Sequence, residues 1–354
     1  MRRAIVGAAL ASVLLVVGTV AFASHGNPNE HIDTALGLLG QAAAELEAAK
    51  ADALPPVTVT ETATVTTTET ITVTASATNT PSPSPSPTTP PPATVTEFPS
   101  LGHGRFSLGC DFSHREQVDP IVVPGQLSAH MHDFFGNVST NRNSTYNSMI
   151  AAATNCSLAT DTAGYWAPTL VAPDGSFVEP VRQQIYYRNR PFEEGPVALF
   201  PPDFRIIAGG VNASAGKSAP VVYWNCDGES DGGIATRQLT IPNCTGTGNG
   251  PIEAHVYFPT CWDGRSDSPD HRSHMTYASP STSISDSGTC PAGFPFRLPQ
   301  LDIRILYPVT NGTGYRFSDG ETLIHMDFWN TWQQADLERL TRDCLAAGVN
   351  CGGL

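Results

Sequence analysis

Basic residues are scarce in this chain. Its 19 Lys and Arg stand against 33 Asp and Glu, which gives a formal net charge of −14, and only Lys50 and Lys217 are lysines. Proteins that bind nucleic acid or anionic membranes neutralise phosphates with clusters of Lys and Arg. The composition therefore argues against both of these partners. A neutral or basic partner, such as a polysaccharide, remains compatible with the charge.

Several motifs of familiar chemistries are also absent. The eight cysteines form no Cys-x-x-Cys pair, and the sequence contains neither Gly-x-Ser-x-Gly nor His-Glu-x-x-His. The segment Gly210–Ser218 resembles a phosphate-binding loop but has one residue too many between its glycines. The segment Asp227–Gly232 resembles the start of a calcium loop, yet Gln238 stands where the bidentate Glu belongs. Calcium is therefore disfavoured.

A long apolar run occurs only at the N-terminus. Arg2 and Arg3 precede the apolar residues 4–23, and Ala21-Phe22-Ala23 fits a small-x-small cleavage site. This pattern predicts a signal peptide over residues 1–23 and a secreted protein. If the run is not cleaved, it is long enough to anchor the chain at the cell surface, which would be its only contact with a membrane.

Two segments of biased composition follow. Residues 24–54 are rich in Ala, Leu and Glu, with apolar residues at three- and four-residue steps, and predict a short helical stalk. Residues 55–98 are almost entirely Thr, Val, Ser, Pro and Ala. Such a tract cannot bury a core and predicts a disordered, extended spacer. The remaining residues 99–354 are sufficient for a single domain with a large core.

The domain over residues 99–354 is predicted to be mainly β. It contains short apolar runs of strand length bounded by turn residues, among them 165–172 and 301–309. Regular alternation of strands and helices is missing, and only residues 331–347 have a clear helical pattern. The sequence therefore predicts antiparallel sheet in a β-sandwich-like domain, with one C-terminal helix.

All eight cysteines lie in this domain, an even count that predicts up to four disulfides stapling long loops. Eight cysteines allow 105 pairings. Pairing between sequence neighbours is the simplest choice, and Cys226 with Cys244 and Cys344 with Cys351 would close the shortest loops.

Three of the five methionines directly follow a histidine, at Met131, Met275 and Met326. Successive side chains of a strand point to opposite faces. Each methionine could then enter a core while its histidine faces a shared polar space. The predicted metal ligands are His130, His132, His274 and His325, and the predicted acid–base carboxylates are Asp133, Asp270 and Asp327.

Two chemistries suit this set of residues. Two or three neutral imidazoles with a carboxylate would bind a divalent transition metal such as zinc or copper. Without a metal, a carboxylate and a histidine form a proton-transfer pair. A structural polar core is the third reading of the same residues. A groove for sugar rings is a separate expectation, formed by Tyr165, Trp166, Tyr187, Arg188 and Trp262.

The order of the motifs resembles the DUF1996 family, which comprises secreted domains of fungi and actinobacteria without an assigned activity. The resemblance covers roughly residues 105–335 and rests on an ordered series of segments in this sequence: Ser128–Asn137, Tyr165–Leu170, Ile185–Arg188, Phe258–Gly264, Asp270–His274 and His325–Phe328. It implies a secreted, wall-associated role and transfers no mechanism.

Two functions remain open at this point. The first is a hydrolase acting on cell-envelope or environmental polysaccharide, with Asp133 or Asp327 as general acid or base and the histidines as metal ligands or proton shuttles. The second is a non-catalytic glycan-binding module displayed on the Thr/Pro tract, with the histidines ordering its groove. Convergence of the four histidines on one point would favour the enzyme.

Overall fold

The computed structural model describes residues 95–189, 195–213, 220–228, 237–246, 250–278 and 288–354. These residues belong to one compact unit, Ser84–Leu354. The predicted signal peptide, the predicted helical stalk and all of the predicted spacer except its last residues lie outside them. The first strand, β1 (Glu97–Phe98), lies within the last residues assigned to the spacer and pairs with β8 (Val197–Ala198).

The larger sheet of the described residues has six strands, and it is antiparallel except where its last two strands run parallel. In spatial order they are β10 (Val222–Cys226), β11 (Ile252–Tyr257), β15 (Gln300–Leu306), β7 (Arg182–Arg188), β2 (Arg105–Cys110) and β18 (Asn350–Gly353).

The second large sheet has five strands and is antiparallel throughout. In spatial order its strands are β3 (Phe112–Glu116), β4 (His132–Gly136), β5 (Gly164–Pro168), β17 (His325–Trp329) and β9 (Arg205–Gly209). Two small antiparallel sheets complete the described strands: β13 (Met275–Thr276), β12 (Cys261–Trp262) and β14 (Phe296–Arg297), and the pair β16 (Arg316–Phe317) and β6 (Leu170–Val171).

The main core joins the two large sheets through alternate residues of their strands. From the six-stranded sheet, Leu108, Ile185 and Ile303 enter it, and Phe135 and Phe328 enter it from the five-stranded sheet. Their spacing follows the two-residue repeat of a strand. The prediction of a mainly β, sandwich-like domain is confirmed.

The outer face of the five-stranded sheet is also covered. A second apolar cluster forms there, in which Phe134, Trp166 and Trp329 pack beneath Val118 and Ile121. Because both faces are covered, β4 and β5 are buried along their whole length. This second covered face is where the polar residues described below lie.

Helices are few and short among the described residues. The first, α1 (Tyr146–Ile150), has a capping box between Thr145 and Ser148. The second, α2 (Gln334–Leu340), continues as a π-helical turn over Thr341–Ala346. The predicted C-terminal helix is thus confirmed. No helix in the described ranges has the length and apolarity needed to cross a membrane.

Four disulfides connect sequence neighbours: Cys110–Cys156, Cys226–Cys244, Cys261–Cys290 and Cys344–Cys351. The predicted pairing of neighbours is confirmed, including the two short loops. A set of four disulfides is typical of proteins that fold in an oxidising compartment.

Candidate metal centre

Three of the four predicted histidines meet on the outer face of the five-stranded sheet. His132 begins β4, His325 begins β17, and His130 lies in the loop that enters β4. The ring centroid of His130 is 4.3 Å from that of His132 and 5.2 Å from that of His325. The ring centroids of His132 and His325 are 5.8 Å apart. One nitrogen of each ring lies within 4.8 Å of the other two. This spacing suits three ligands of one metal ion after small side-chain adjustments.

The hydrogen bonds of His132 leave one of its nitrogens available. Its Nδ1 is 2.9 Å from the carbonyl oxygen of Val118, and because a carbonyl can only accept, Nδ1 carries the proton. The neutral ring then has a lone pair on Nε2, which is buried and has no hydrogen-bond partner. An imidazole fixed by a backbone carbonyl, with its other nitrogen free, is the usual arrangement of a metal-binding histidine. The Nε2 of His130 is likewise buried without a partner.

Burial keeps these rings in the form that binds metals. It lowers the pKa of His132 well below its ordinary value, and the neighbouring His130 and His325 lower it further. Burial also lowers the pKa of His130, with His325 contributing in the same direction. Both rings are therefore neutral at pH 7, and a neutral imidazole is the species that donates a lone pair to a metal.

Three carboxylates surround the histidines. Asp327 follows His325 by two residues and shares its face of β17, with its Oδ2 3.8 Å from His325 Nε2. Asp319 lies in the turn before β17, with its Oδ2 3.3 Å from His325 Nδ1. Asp119 follows β3, and its Oδ1 accepts hydrogen bonds from the amides of Ile121 and Val122. Strand alternation places Asp327 beside the histidines, and loops place Asp119 and Asp319 there.

The three carboxyl groups differ in their electrostatic surroundings. Burial raises the pKa of Asp327 well above its ordinary value, and the charge of Asp119 raises it further. Burial also raises the pKa of Asp119, although the Val122 and Ile121 amides oppose this. Burial would also raise the pKa of Asp319. Hydrogen bonds from His325 and the Glu321 amide outweigh this effect, so the pKa of Asp319 is lowered.

Asp133, one of the predicted acid–base carboxylates, does not lie with the three histidines. Asp133 lies on the opposite face of β4 from His132, because successive residues of a strand alternate. Its carboxylate accepts hydrogen bonds from Arg115 Nε at 2.6 Å and Thr169 Oγ1 at 2.8 Å. Burial raises the pKa of Asp133, and Arg115 opposes that rise. This carboxylate is part of a buried ion pair.

The predictions for His274 and Asp270 also need correction. His274 is fully buried, with its Nδ1 2.8 Å from Ser268 Oγ and its ring edge-on to Phe204. It belongs to no group of converging ligands among the described residues. Asp270 is exposed and caps its own turn by accepting hydrogen bonds from the Ser273 amide and hydroxyl. The centre therefore has three of the four predicted histidines.

The aromatic residues predicted to line a sugar-stacking groove do not form one. Tyr165, Trp166, Tyr187 and Trp262 are all fully buried. The hydroxyls of Tyr165 and Tyr187 are 2.8 Å apart within the main core. Each ring packs inside the protein because the sheets are covered, so none of the four can stack on a sugar at the surface.

Arg188, the fifth predicted residue of the groove, is used in an ion pair. Its Nη2 is 2.9 Å from Asp302 Oδ2, and Arg304 Nη2 is at the same distance from that oxygen. Burial alone would raise the pKa of Asp302, but the two guanidinium groups outweigh it and lower the pKa to about 2. Arg188 therefore balances a buried charge in the six-stranded sheet.

A cleft of 490 Å³ reaches one of the three histidines, His325. His325 and Asp319 line it, and it is lined further along by Gly210, Asn212 and Tyr277. Gly210 has a φ of +89°, and a Cβ at this position would meet no atom within 4 Å. A ligand could therefore approach the backbone closely there. The volume lies within the usual range of small-molecule sites.

Asp119 and Asp319 were not predicted as site residues. Both lie in loops, where periodicity does not tell which way a side chain points. The weak signals were Asp119 before a proline, which is typical of a turn, and Asp319 in a Ser-Asp-Gly turn just before the third His-Met pair.

Comparison with known proteins identifies a family and no activity. A family model described as a domain of unknown function, DUF1996, matches residues 119–332, more than half of the chain. This range contains the three histidines and all three carboxylates. No curated protein matches the chain, and no solved structure matches it.

Proposed function

The chain belongs to the DUF1996 family, whose function is unknown, and we propose that it is an exported, metal-dependent hydrolase that acts on polysaccharide. The observation that carries the proposal is the convergence of His130, His132 and His325, with two buried Nε2 atoms that have no partner. Leaving a buried polar atom unpaired costs free energy. A divalent transition metal at this point would satisfy both nitrogens.

The chemistry of hydrolysis fits the groups beside the histidines. Zn²⁺ held by three histidines would lower the pKa of a bound water to about 7. Asp327 lies 3.8 Å from His325 and both of its oxygens lack partners, so it is placed to accept a proton there. Asp319 would hold the His325 ring by accepting from its Nδ1, as carboxylates commonly do behind metal ligands.

A polysaccharide substrate is supported by the charge of the chain and the lining of the cleft. The net charge of −14 disfavours strongly anionic polymers. The cleft is lined by the polar side chains of Asn212 and Tyr277, which can bond sugar hydroxyls; the Tyr277 hydroxyl donates to the Tyr257 carbonyl and can still accept. The N-terminal segment and the Thr/Pro tract support export and display at a cell surface, where such polymers occur.

The metal-free and non-catalytic readings make different predictions. A proton-transfer pair of His325 with Asp319 or Asp327 would work without a metal. A glycan-binding module would bind sugar without turnover. The glycan-binding module would need exposed aromatic side chains for stacking on sugar rings, but the four rings predicted for this role are buried.

The test is release of reducing ends from a panel of cell-envelope and environmental polysaccharides by the full-length chain. The chain is supplied with Zn²⁺, Cu²⁺ or a chelator, and is compared with His130→Ala. His114→Ala is the matched control, because His114 is a part-buried ring on β3 that bonds Thr140 O outside the centre. We expect release by the wild type and by His114→Ala, and loss with chelator and in His130→Ala.

The contrary results separate the alternatives. Turnover that survives both the chelator and His130→Ala would contradict the metal and favour a His–Asp pair. Binding of a polysaccharide without turnover under every metal condition would contradict the enzyme and favour the binding module.

A further inference from the structure

A second group of ligand atoms lies beside the three-histidine group. One oxygen of Asp119, one nitrogen of His132 and one oxygen of Asp327 lie within 4.8 Å of one another. All three side chains are buried, with relative exposures of 4%, 0% and 0%. The two groups share only His132. The centre therefore offers ligands at two adjoining positions.

The carboxylate of Asp327 points to a missing positive charge. Both of its oxygens are buried and neither has a hydrogen-bond partner. A buried carboxylate without a partner is among the more costly arrangements in a protein, and Asp119 beside it adds repulsion of like charge. The guanidinium of Arg272 acts on Asp327 through its charge, and its Nη1 donates a hydrogen bond to the Gly209 carbonyl at 3.2 Å.

A single ion cannot use every ligand of the two groups. His132 has only Nε2 to offer, since its Nδ1 bonds the Val118 carbonyl. An ion held by that nitrogen together with Asp119 and Asp327 would leave His130 and His325 for another ion. Asp327 Oδ2 also faces His325 Nε2 at 3.8 Å, so this carboxylate lies between the two positions.

We propose that the centre binds two divalent cations, the second held by Asp119, His132 and Asp327, with Asp327 bridging to an ion at His130 and His325. This inference rests on the proposed function and extends its metal from one ion to two; in the two-ion arrangement His132 belongs to the second ion, and Asp327 acts as a ligand. Two-metal hydrolytic sites hold their ions about 3.5–4 Å apart and are joined by such carboxylates. The mixed imidazole and carboxylate set suits Zn²⁺, Mn²⁺ or Fe²⁺.

Asp119→Asn tests the second position with little risk to folding. The amide oxygen of Asn can still accept from the Ile121 and Val122 amides, while the second carboxylate oxygen and the charge are lost. Asp161→Asn is the matched control, because Asp161 is a fully buried carboxyl whose oxygens accept hydrogen bonds from the Ala163 amide and the Tyr165 hydroxyl, away from the two ligand groups.

The measurement is metal content per full-length chain by native mass spectrometry after saturation with Mn²⁺ or Zn²⁺, with circular dichroism to verify folding. We expect two ions in the wild type and in Asp161→Asn, and one in Asp119→Asn. For Mn²⁺ we also expect the spin-coupled resonance signal of a pair in the wild type and that of a single ion in Asp119→Asn.

Two results would overturn the inference. Saturation at one ion in the wild type, unchanged in Asp119→Asn, would leave the proposed function standing and remove the second position. No ion in any of the three proteins would remove both. These outcomes separate a failure of the inference from a failure of the proposed function.

Discussion

Breaking the buried ion pair of Asp133 should destabilise the protein while leaving the metal centre intact. Asp133 is almost fully buried, and Arg115 bonds it through Nε at 2.6 Å and Nη2 at 3.2 Å. Arg115→Met would leave that carboxylate with one remaining side-chain hydrogen bond, from Thr169. Removal of one partner of a buried pair costs about 3–5 kcal/mol. Because the Arg115 side chain is 19% exposed, we expect the lower end of that range.

The assay is urea unfolding of the full-length chain, followed by intrinsic fluorescence. It compares four proteins: the wild type, Arg115→Met, Asp133→Asn and Arg339→Met. Asp133→Asn should cost less, about 1–2 kcal/mol, because Arg115 can still bond the Val178 carbonyl and reach solvent. The control is Arg339→Met, which breaks an exposed pair with Asp336 and should change stability by no more than about 0.5 kcal/mol.

Two results would refute the reasoning. An Arg115→Met protein as stable as Arg339→Met would show that the pair does not support the fold. A folded Asp133→Asn protein that no longer binds metal would show that Asp133 belongs to the centre, contrary to its place on the opposite face of β4.

Three further predictions concern pH, disulfides and metal removal. Burial lowers the pKa of His274 to about 4 from 6.5, so the unfolded chain binds more protons between these values and stability should fall by about 3 kcal/mol as pH drops from 6.5 to 4. Urea unfolding at several pH values checks this, and a wild-type dependence as flat as that of His274→Asn would contradict it. Removing Cys344–Cys351, with a separation of 7 residues, should cost about 2 kcal/mol, and removing Cys110–Cys156, with a separation of 46, about 4 kcal/mol. Equal losses in thermal unfolding of the two Cys→Ser pairs would count against this dependence on loop length. Chelation should lower the melting temperature by removing about 3 kcal/mol when free metal stands at 100 times Kd, and an unchanged melting temperature would argue against a bound ion.

Strand periodicity was the part of the sequence that predicted structure best. It gave the mainly β domain, and it explains the third His-Met pair, in which Met326 enters the main core while His325 and Asp327 share the outer face. The second pair does not follow it, because His274 and Met275 are both buried. Alternation requires a strand, and His274 precedes the two-residue β13.

The aromatic residues show where the same reasoning fails. In a sheet with one solvent face, either Tyr165 or Trp166 would have to be exposed. Here both are fully buried, since Trp166 stacks with Phe134 under a second layer while Tyr165 faces the main core. Sequence alone does not tell that long loops cover the second face. The same loops deliver Asp119 and Asp319, which is why these two carboxylates escaped prediction.

The central claim is that His130, His132 and His325 form a metal centre. The most direct test is the metal content of the full-length wild type, His132→Ala and His114→Ala, each incubated with Zn²⁺ or Cu²⁺ at neutral pH and freed of excess ion. The account predicts stoichiometric metal in the wild type and in His114→Ala and a loss in His132→Ala, because His132 belongs to the converging group and its Nε2 is buried without a partner, whereas His114 lies outside that group. Equal metal content in all three proteins, or none in the wild type, would contradict it.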